Sequence, residues 1–130
     1  MKTQYAVALA VSTGFGLGAL AVQGLHAQAK LPAYVVVDVT VSDEDNYQKE
    51  LKGYGAAVGK ILTDGGAKYL ARGGKIVAIE GAPAKRLVVL AFESLEKAEA
   101  TMSSTAYRAA RKPGDQYAKF RILAVEGVPQ

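Results

Sequence analysis

The chain has 130 residues and a mass of 13.6 kDa, which fits a single domain, and half of its residues are apolar. It contains no cysteine and one histidine, which excludes disulfides, thiolate nucleophiles, Cys-ligated zinc and iron–sulfur clusters. The net charge is +4, but the basic residues are scattered among acids. Because a nucleic-acid surface needs clustered basic residues, we expect no nucleic-acid partner.

The first 29 residues have the pattern of a secretory signal peptide. Lys2 is their only charge, an apolar run follows from Tyr5, and the segment closes with Ala27-Gln28-Ala29. We expect cleavage before Lys30, a periplasmic or secreted protein, and one folded domain over residues 30–130. The alternative is an uncleaved membrane anchor, since residues 5–25 are about long enough to span a bilayer.

Cleavage at this point would also remove His26, the only histidine. A mature domain without His or Cys cannot run a Ser-His-Asp triad or a Cys-His dyad, and it offers no imidazole or thiolate to zinc or haem. The acidic run at residues 43–45 lacks the ligand spacing and central glycine of an EF-hand. We therefore expect no metal site and no cofactor.

The first half of the domain predicts a strand, a helix and a hairpin. Residues 34–41 are rich in β-branched side chains and predict a strand. Ser42-Asp43-Glu44-Asp45 offers an N-cap and acids for the first turn of a helix that is predicted to end at Gly65-Gly66. Its apolar stripe is made of Tyr47, Leu51, Tyr54, Val58, Ile61 and Leu62. Residues 67–72 and 75–80 flank Gly73-Gly74 and predict a β-hairpin.

The second half continues with a strand, two helices and a strand. Residues 86–93 form the most apolar predicted strand, Ser94 caps a helix, and a short helix covers residues 105–112. Residues 117–128 alternate and predict the last strand. The order β-α-β-β-α-β with a broken second helix predicts an α+β, ferredoxin-like fold with an antiparallel sheet. Since strand residues are apolar on both faces, a second copy of the chain is the simplest cover for the face without helices.

Several short combinations recur in a fixed order along the domain. They are Tyr34, Tyr47 and Tyr54, Gly65-Gly66, Leu70-Ala71-Arg72-Gly73-Gly74, Glu80-Gly81 with Arg86, Phe92-Glu93-Ser94, and Val125-Glu126-Gly127. Over about residues 33–128 the chain thereby resembles the domain-of-unknown-function 1330 family. The resemblance implies a dimeric α/β barrel, in which the sheets of two ferredoxin-like subunits face each other, and it implies no particular activity.

Arg72 is the first candidate for a ligand-binding residue, because a strand-end arginine beside two glycines can present two parallel N–H groups to a carboxylate or phosphate. The alternative is a structural ion pair, with Glu80 or Glu93 as its partner. Arg86 and Asp38 lie on or at the ends of predicted strands, and Tyr34, Tyr54 and Tyr107 carry hydroxyl donors. If these side chains point into the barrel they form a polar pocket with apolar walls; otherwise they are surface, core or interface residues.

Three functions remain open at this point. The first is an exported homodimer that binds a small, anionic organic ligand in the barrel pocket. The second is a cofactor-independent oxygenase or isomerase, a class that the resemblance implies because some members of the dimeric α/β-barrel superfamily have such activities. It would rely on Tyr, Asp, Glu or Arg because histidine is absent. The third is a structural interaction protein whose barrel is filled by side chains.

Overall fold

β1 (Ala33–Val41) is the first element of the computed structural model, which describes residues 31–129. The predicted signal segment, and with it the choice between cleavage and anchoring, lies outside this range. The chain continues through α1 (Glu44–Asp64), β2 (Lys68–Arg72), β3 (Leu87–Phe92), α2 (Leu95–Met102), α3 (Thr105–Arg111), a 3-10 turn (Lys112–Gln116) and β4 (Ala118–Glu126). None of the helices within residues 31–129 is long and apolar enough to cross a membrane.

The four strands form one antiparallel sheet in the order β2-β3-β1-β4. β1 is central and pairs with β3 on one side and β4 on the other, as the predicted ferredoxin-like topology requires. The α+β class and the antiparallel sheet are therefore confirmed, whereas closure of two such sheets into a barrel stays a prediction.

The two faces of the sheet differ because side chains alternate along each strand. Val35, Val37 and Val39 are buried on the helix face of β1 and join the core with Leu90 and Phe92 of β3. The outer face carries Tyr34, Val36, Asp38 and Thr40 of β1 with their neighbours on β3 and β4, including Leu123 and Val125, which are exposed. One face thus builds the core and the other presents apolar side chains to its surroundings.

The predicted strand at residues 75–80 is wrong. β2 pairs with β3 instead, and residues 73–86 form an extended connection that is not part of the sheet. Gly73 and Gly81 adopt positive φ angles of 74° and 88°, and the side chains of Val77 and Ile79 are 66% and 91% exposed. The local alternation of residues 75–80 is real, but β2 pairs with the more apolar β3, and this segment joins neither edge of the sheet.

α1 begins and ends where its terminal residues can satisfy the backbone. Asp43 is the N-cap and accepts a hydrogen bond from the Asn46 backbone N–H at 3.1 Å. At the other end Gly65 closes the helix, and a Cβ there would overlap the Thr101 side chain of α2. The glycine pair that predicts the helix end therefore also allows α1 and α2 to approach closely.

Candidate functional site

A cavity of about 410 Å³ lies between α1 and the helix face of the sheet. Its walls are mostly apolar and come from every strand, from α1 and from α3. The lining residues are Val37, Val39, Tyr47, Leu51, Tyr54, Gly55, Val58, Leu62, Tyr69, Arg72, Gly73, Arg86, Leu87, Val88, Leu90, Tyr107, Arg111 and Phe120. Such a concave, apolar space with a few polar groups is the usual form of a small-molecule site.

Two tyrosine hydroxyls meet inside this cavity. Tyr47 and Tyr54 lie seven residues apart, which is two helical turns, so both project from the same face of α1. Both residues are buried, and the Tyr54 hydroxyl donates to the Tyr47 hydroxyl at 3.2 Å. Gly114 of the 3-10 turn packs directly against the Tyr54 ring, and a Cβ there would overlap the Tyr54 hydroxyl.

The hydroxyls of Tyr54 and Tyr107 stay protonated at neutral pH. Burial is the main cause that raises the pKa of Tyr54, and the hydrogen bond to Tyr47 raises it further. Burial also raises the pKa of Tyr107, against the opposing effect of Arg111. Neither hydroxyl therefore ionises near neutrality. The Tyr107 O–H can donate to an acceptor in the cavity, whereas the single Tyr54 proton is already donated to Tyr47.

Three arginines border the cavity, and two of them have acidic partners. Arg86 Nη2 lies 2.8 Å from Glu44 Oε2, and Arg111 Nε lies 3.0 Å from Asp115 Oδ1. Both guanidinium groups also lie against aromatic rings: Arg86 is 5.2 Å from the Tyr47 ring centre and Arg111 is 4.2 Å from that of Phe120.

Of these three arginines, Arg72 is the one without an acidic partner among residues 31–129. Its guanidinium lies 4.2 Å from the centre of the Tyr69 ring, and its side chain is exposed. Among residues 31–129 no carboxylate lies within ion-pair distance of it, so the structural pairing with Glu80 or Glu93 is absent. Glu93 instead lies 3.6 Å from Lys97.

The six predicted ligand-binding residues divide between the two sheet faces. Arg72, Arg86, Tyr54 and Tyr107 line the cavity on the helix face. The other two belong to the outer face: Asp38 stands between Leu87 and Arg121 on the neighbouring strands, and the Tyr34 ring packs on Gly127. The six therefore do not form one pocket, because helix-face and outer-face positions alternate along β1.

Sequence reasoning missed Tyr47 and Tyr69 as members of this site. The sequence places Tyr47 in the apolar stripe of α1 and among the family-like combinations, and its seven-residue spacing to Tyr54 is the signal that brings the two hydroxyls together. Tyr69 lies three residues before Arg72 on β2, and two residues that far apart on a regular strand face opposite sides. A bulge between Tyr69 and Ala71 brings Tyr69 and Arg72 to the same face, and no sequence signal marks that bulge.

The polar side chains that line the cavity are hydroxyl donors and cations. None of the described residues that line the cavity is Asp, Glu or His, so this wall offers hydrogen-bond donors and positive charge but no proton acceptor at neutral pH. Across residues 31–129 no group of three acidic or histidine side chains is close enough to hold a metal ion. The cavity is suited to an apolar molecule that carries an anionic or hydrogen-bond-accepting group.

Comparisons with solved structures show where this fold occurs. A protein of unknown function from Rhodopseudomonas palustris matches at 16% identity with a TM-score of 0.58, over 78% of this chain and 85% of that one. A dimeric ferredoxin-like protein of unknown function from Thermobifida fusca matches at 14% and 0.49, over 77% and 92% of the two chains. SnoaB, a cofactor-independent oxygenase from Streptomyces nogalater, matches at 4% and 0.48, over 77% and 96%.

At these identities the likeness to solved structures shows the fold alone, and a comparison with curated proteins found no match. The family model is more specific, because the domain of unknown function DUF1330 matches residues 32–128, which include all four strands and the whole cavity wall. The chain is therefore a member of the DUF1330 family.

Proposed function

We propose that this protein binds a small organic anion with an apolar body in the cavity between α1 and the sheet. The observation that carries this proposal is the combination of an apolar cavity of about 410 Å³ with one uncompensated arginine, Arg72, at its border. The ligand's anionic group pairs with the Arg72 guanidinium, and its apolar body lies against the valines and leucines of the wall. The Tyr47 hydroxyl, which accepts from Tyr54, donates its own proton to a ligand oxygen that reaches the interior.

The charge pattern favours an anion over a neutral ligand. The charges of Arg86 and Arg111 are already paired with Glu44 and Asp115, so these two arginines attract an incoming anion less than Arg72 does. The Arg72 guanidinium also lies against the Tyr69 ring, 4.2 Å from its centre. A carboxylate can therefore gain a charge-assisted, two-point hydrogen bond.

Calorimetric titration with benzoate and octanoate tests the proposal, since both are small carboxylates with apolar bodies of different shape. Arg72→Gln removes the charge, and Arg108→Gln is the matched control, because Arg108 is an exposed arginine of α3 outside the cavity wall. A hydrogen bond to a charged group is worth about 1.5–3 kcal/mol, so Arg72→Gln should weaken binding about tenfold or more. Failure of the wild type to bind either acid, or equal affinity in both variants, would contradict the proposal.

We also propose that the protein is a homodimer in which the outer faces of two sheets meet. Val36, Leu123 and Val125 lie side by side across β1 and β4 on this face, and the last two are more than half exposed. A contiguous apolar face of this kind is unusual on a monomer in water. A second copy covers the face with side chains of the same character, as an isologous interface requires.

A cofactor-independent enzyme is the second candidate, and the buried hydroxyl pair of Tyr47 and Tyr54 favours it. O–H donors in an apolar cavity stabilise an oxyanion as it develops. Because no described lining residue accepts a proton at neutral pH, the substrate would have to arrive ionised. Oxygen consumption with ionisable phenols, lost in Tyr54→Phe, would support this candidate. Binding of the same phenols without any conversion would count against it.

Export is part of the proposal and is tested separately. The support is the apolar run after Lys2 and the Ala27-x-Ala29 ending. Cell fractionation of the native host and N-terminal sequencing of the soluble protein should give a chain that starts at Lys30. An intact chain in the membrane fraction would favour the anchor, and a cytoplasmic chain starting at Met1 would contradict export.

A further inference from the structure

Gly55 lies on the cavity-facing side of α1, where every other lining residue has a large side chain. The stripe runs through Tyr47, Leu51, Tyr54, Val58 and Leu62 at steps of three and four residues, and Gly55 belongs to the same face. At this one position the wall of the cavity is bare helix backbone. The space that a side chain would fill there is part of the cavity.

Neither the backbone nor the packing of the described residues requires glycine at this position. Glycine is the least favourable residue in a helix interior after proline. The positive-φ glycines of residues 31–129 are Gly66, Gly73 and Gly81, so Gly55 has a conformation that any residue adopts. A Cβ on Gly55 would contact only the Leu51 side chain, at an ordinary 3.6 Å. An alanine would fit the folded chain and favour the helix.

We propose that Gly55 determines ligand size: it keeps open the part of the cavity that receives the far end of the ligand's apolar body. This inference rests on the proposed binding function and adds the class of ligand. On this proposal, a single-ring carboxylate paired with Arg72 does not need the space beside Gly55. A fused two-ring carboxylate does need it and would place its second ring against the bare backbone of α1. The site is thereby matched to flat, bicyclic aromatic acids rather than to monocyclic ones.

Two glycine substitutions on the same helix test the inference. Gly55→Ala adds a methyl group to the cavity wall, and Gly53→Ala is the matched control, because Gly53 is exposed, has nothing within 4 Å of a built Cβ and is not part of the wall. Both variants should melt at or above the wild-type temperature, since alanine is the better helix former. The probes are 2-naphthoate and benzoate, titrated calorimetrically into the full chain.

We expect Gly55→Ala to weaken 2-naphthoate binding at least tenfold while benzoate binding stays within twofold, and Gly53→Ala to change neither. Wild-type affinity for 2-naphthoate in Gly55→Ala would overturn the inference and leave the binding function intact. A melting temperature of Gly55→Ala well below that of Gly53→Ala would also overturn it, because the glycine would then serve packing. A wild type that binds neither acid would overturn the binding function itself, and the size role of Gly55 with it.

Discussion

Tyr54 is the residue on which most of the cavity geometry depends. Its hydroxyl donates to Tyr47, and its ring fills the space that Gly114 leaves by having no side chain. Three separate segments, the start of α1, its middle and the turn after α3, are thus held together at one aromatic ring. Gly114 therefore supports the wall of the site from behind, although it does not line the cavity itself.

We predict that Gly114→Ala destabilises the protein, because the new methyl group would overlap the Tyr54 ring and hydroxyl in a packed interior. Overpacking of this kind costs about 1–3 kcal/mol, measured as the free energy of unfolding in urea. Gly74→Ala is the control, since a Cβ there has nothing within 4 Å. In a Tyr54→Ala background the Gly114→Ala cost should shrink; an unchanged cost would mean that Tyr54 is not the group that clashes.

The buried tyrosines also predict how stability depends on alkaline pH. The pKa of Tyr54 is raised in the folded chain above its ordinary value of 10.0, so folding favours the protonated phenol. The contribution of Tyr54 to the free energy of unfolding is fully present below about pH 10 and declines as the pH rises towards the folded pKa. Tyr54→Phe should therefore make the fall of unfolding free energy above about pH 10 less steep, in urea titrations at several pH values. An identical slope in wild type and variant would contradict the raised pKa.

At the scale of elements, the start of α1 positions much of the site, since the same helix carries Tyr47, Tyr54 and Gly55. Its N-cap, Asp43, accepts from the Asn46 backbone N–H at 3.1 Å and from the Asn46 side chain at 2.8 Å. These hydrogen bonds lower the pKa of Asp43, the side-chain bond most, so the cap stabilises the fold above the ordinary carboxyl pKa and is lost as the pH falls through the folded value.

Asp43→Ala should lower the melting temperature at pH 7, and the difference from wild type should vanish in strong acid. Asp43→Ser, which keeps a cap acceptor, should recover most of the loss. Asp45→Ala is the control, because Asp45 is also an exposed acid of the first turn but does not cap the helix. If Asp43→Ala and Asp45→Ala melt alike, the charge of the first turn rather than the cap hydrogen bond stabilises α1.

At the scale of the whole molecule, the apolar outer face predicts self-association. Light scattering of residues 30–130 at micromolar concentration should give twice the mass of one chain. Leu123→Asp places a charge within this apolar face and should give a single-chain mass with unchanged far-UV circular dichroism. Arg108→Asp, a change on the exposed side of α3, should leave the dimer intact. A wild type that is monomeric throughout this range would contradict the dimer.

The elements were predictable where local pattern and pairing agree. The β-branched alternation of β1, the capped ends of α1 and the apolar run of β3 each favour one structure, and each forms as expected. Residues 75–80 carry an equally clear strand pattern, but strand formation needs a partner edge that a local pattern cannot supply. The predicted site residues are divided between the two sheet faces for a related reason. Tyr34 and Asp38 lie on the outer face, and tertiary packing, which a local pattern does not contain, decides which face borders a cavity.

The connection of residues 73–86 gives this protein an unusual advantage for spectroscopy. The chain contains no cysteine, so Lys75→Cys would introduce its only thiol, in an exposed segment two residues from Gly73, which lines the cavity. A polarity-sensitive fluorophore attached there can report each binding event at the Arg72 border by a change in emission. The same exposed stretch that has no place in the sheet can thus make the protein a reagentless sensor for its own ligand, which also allows unknown ligands to be found in metabolite mixtures.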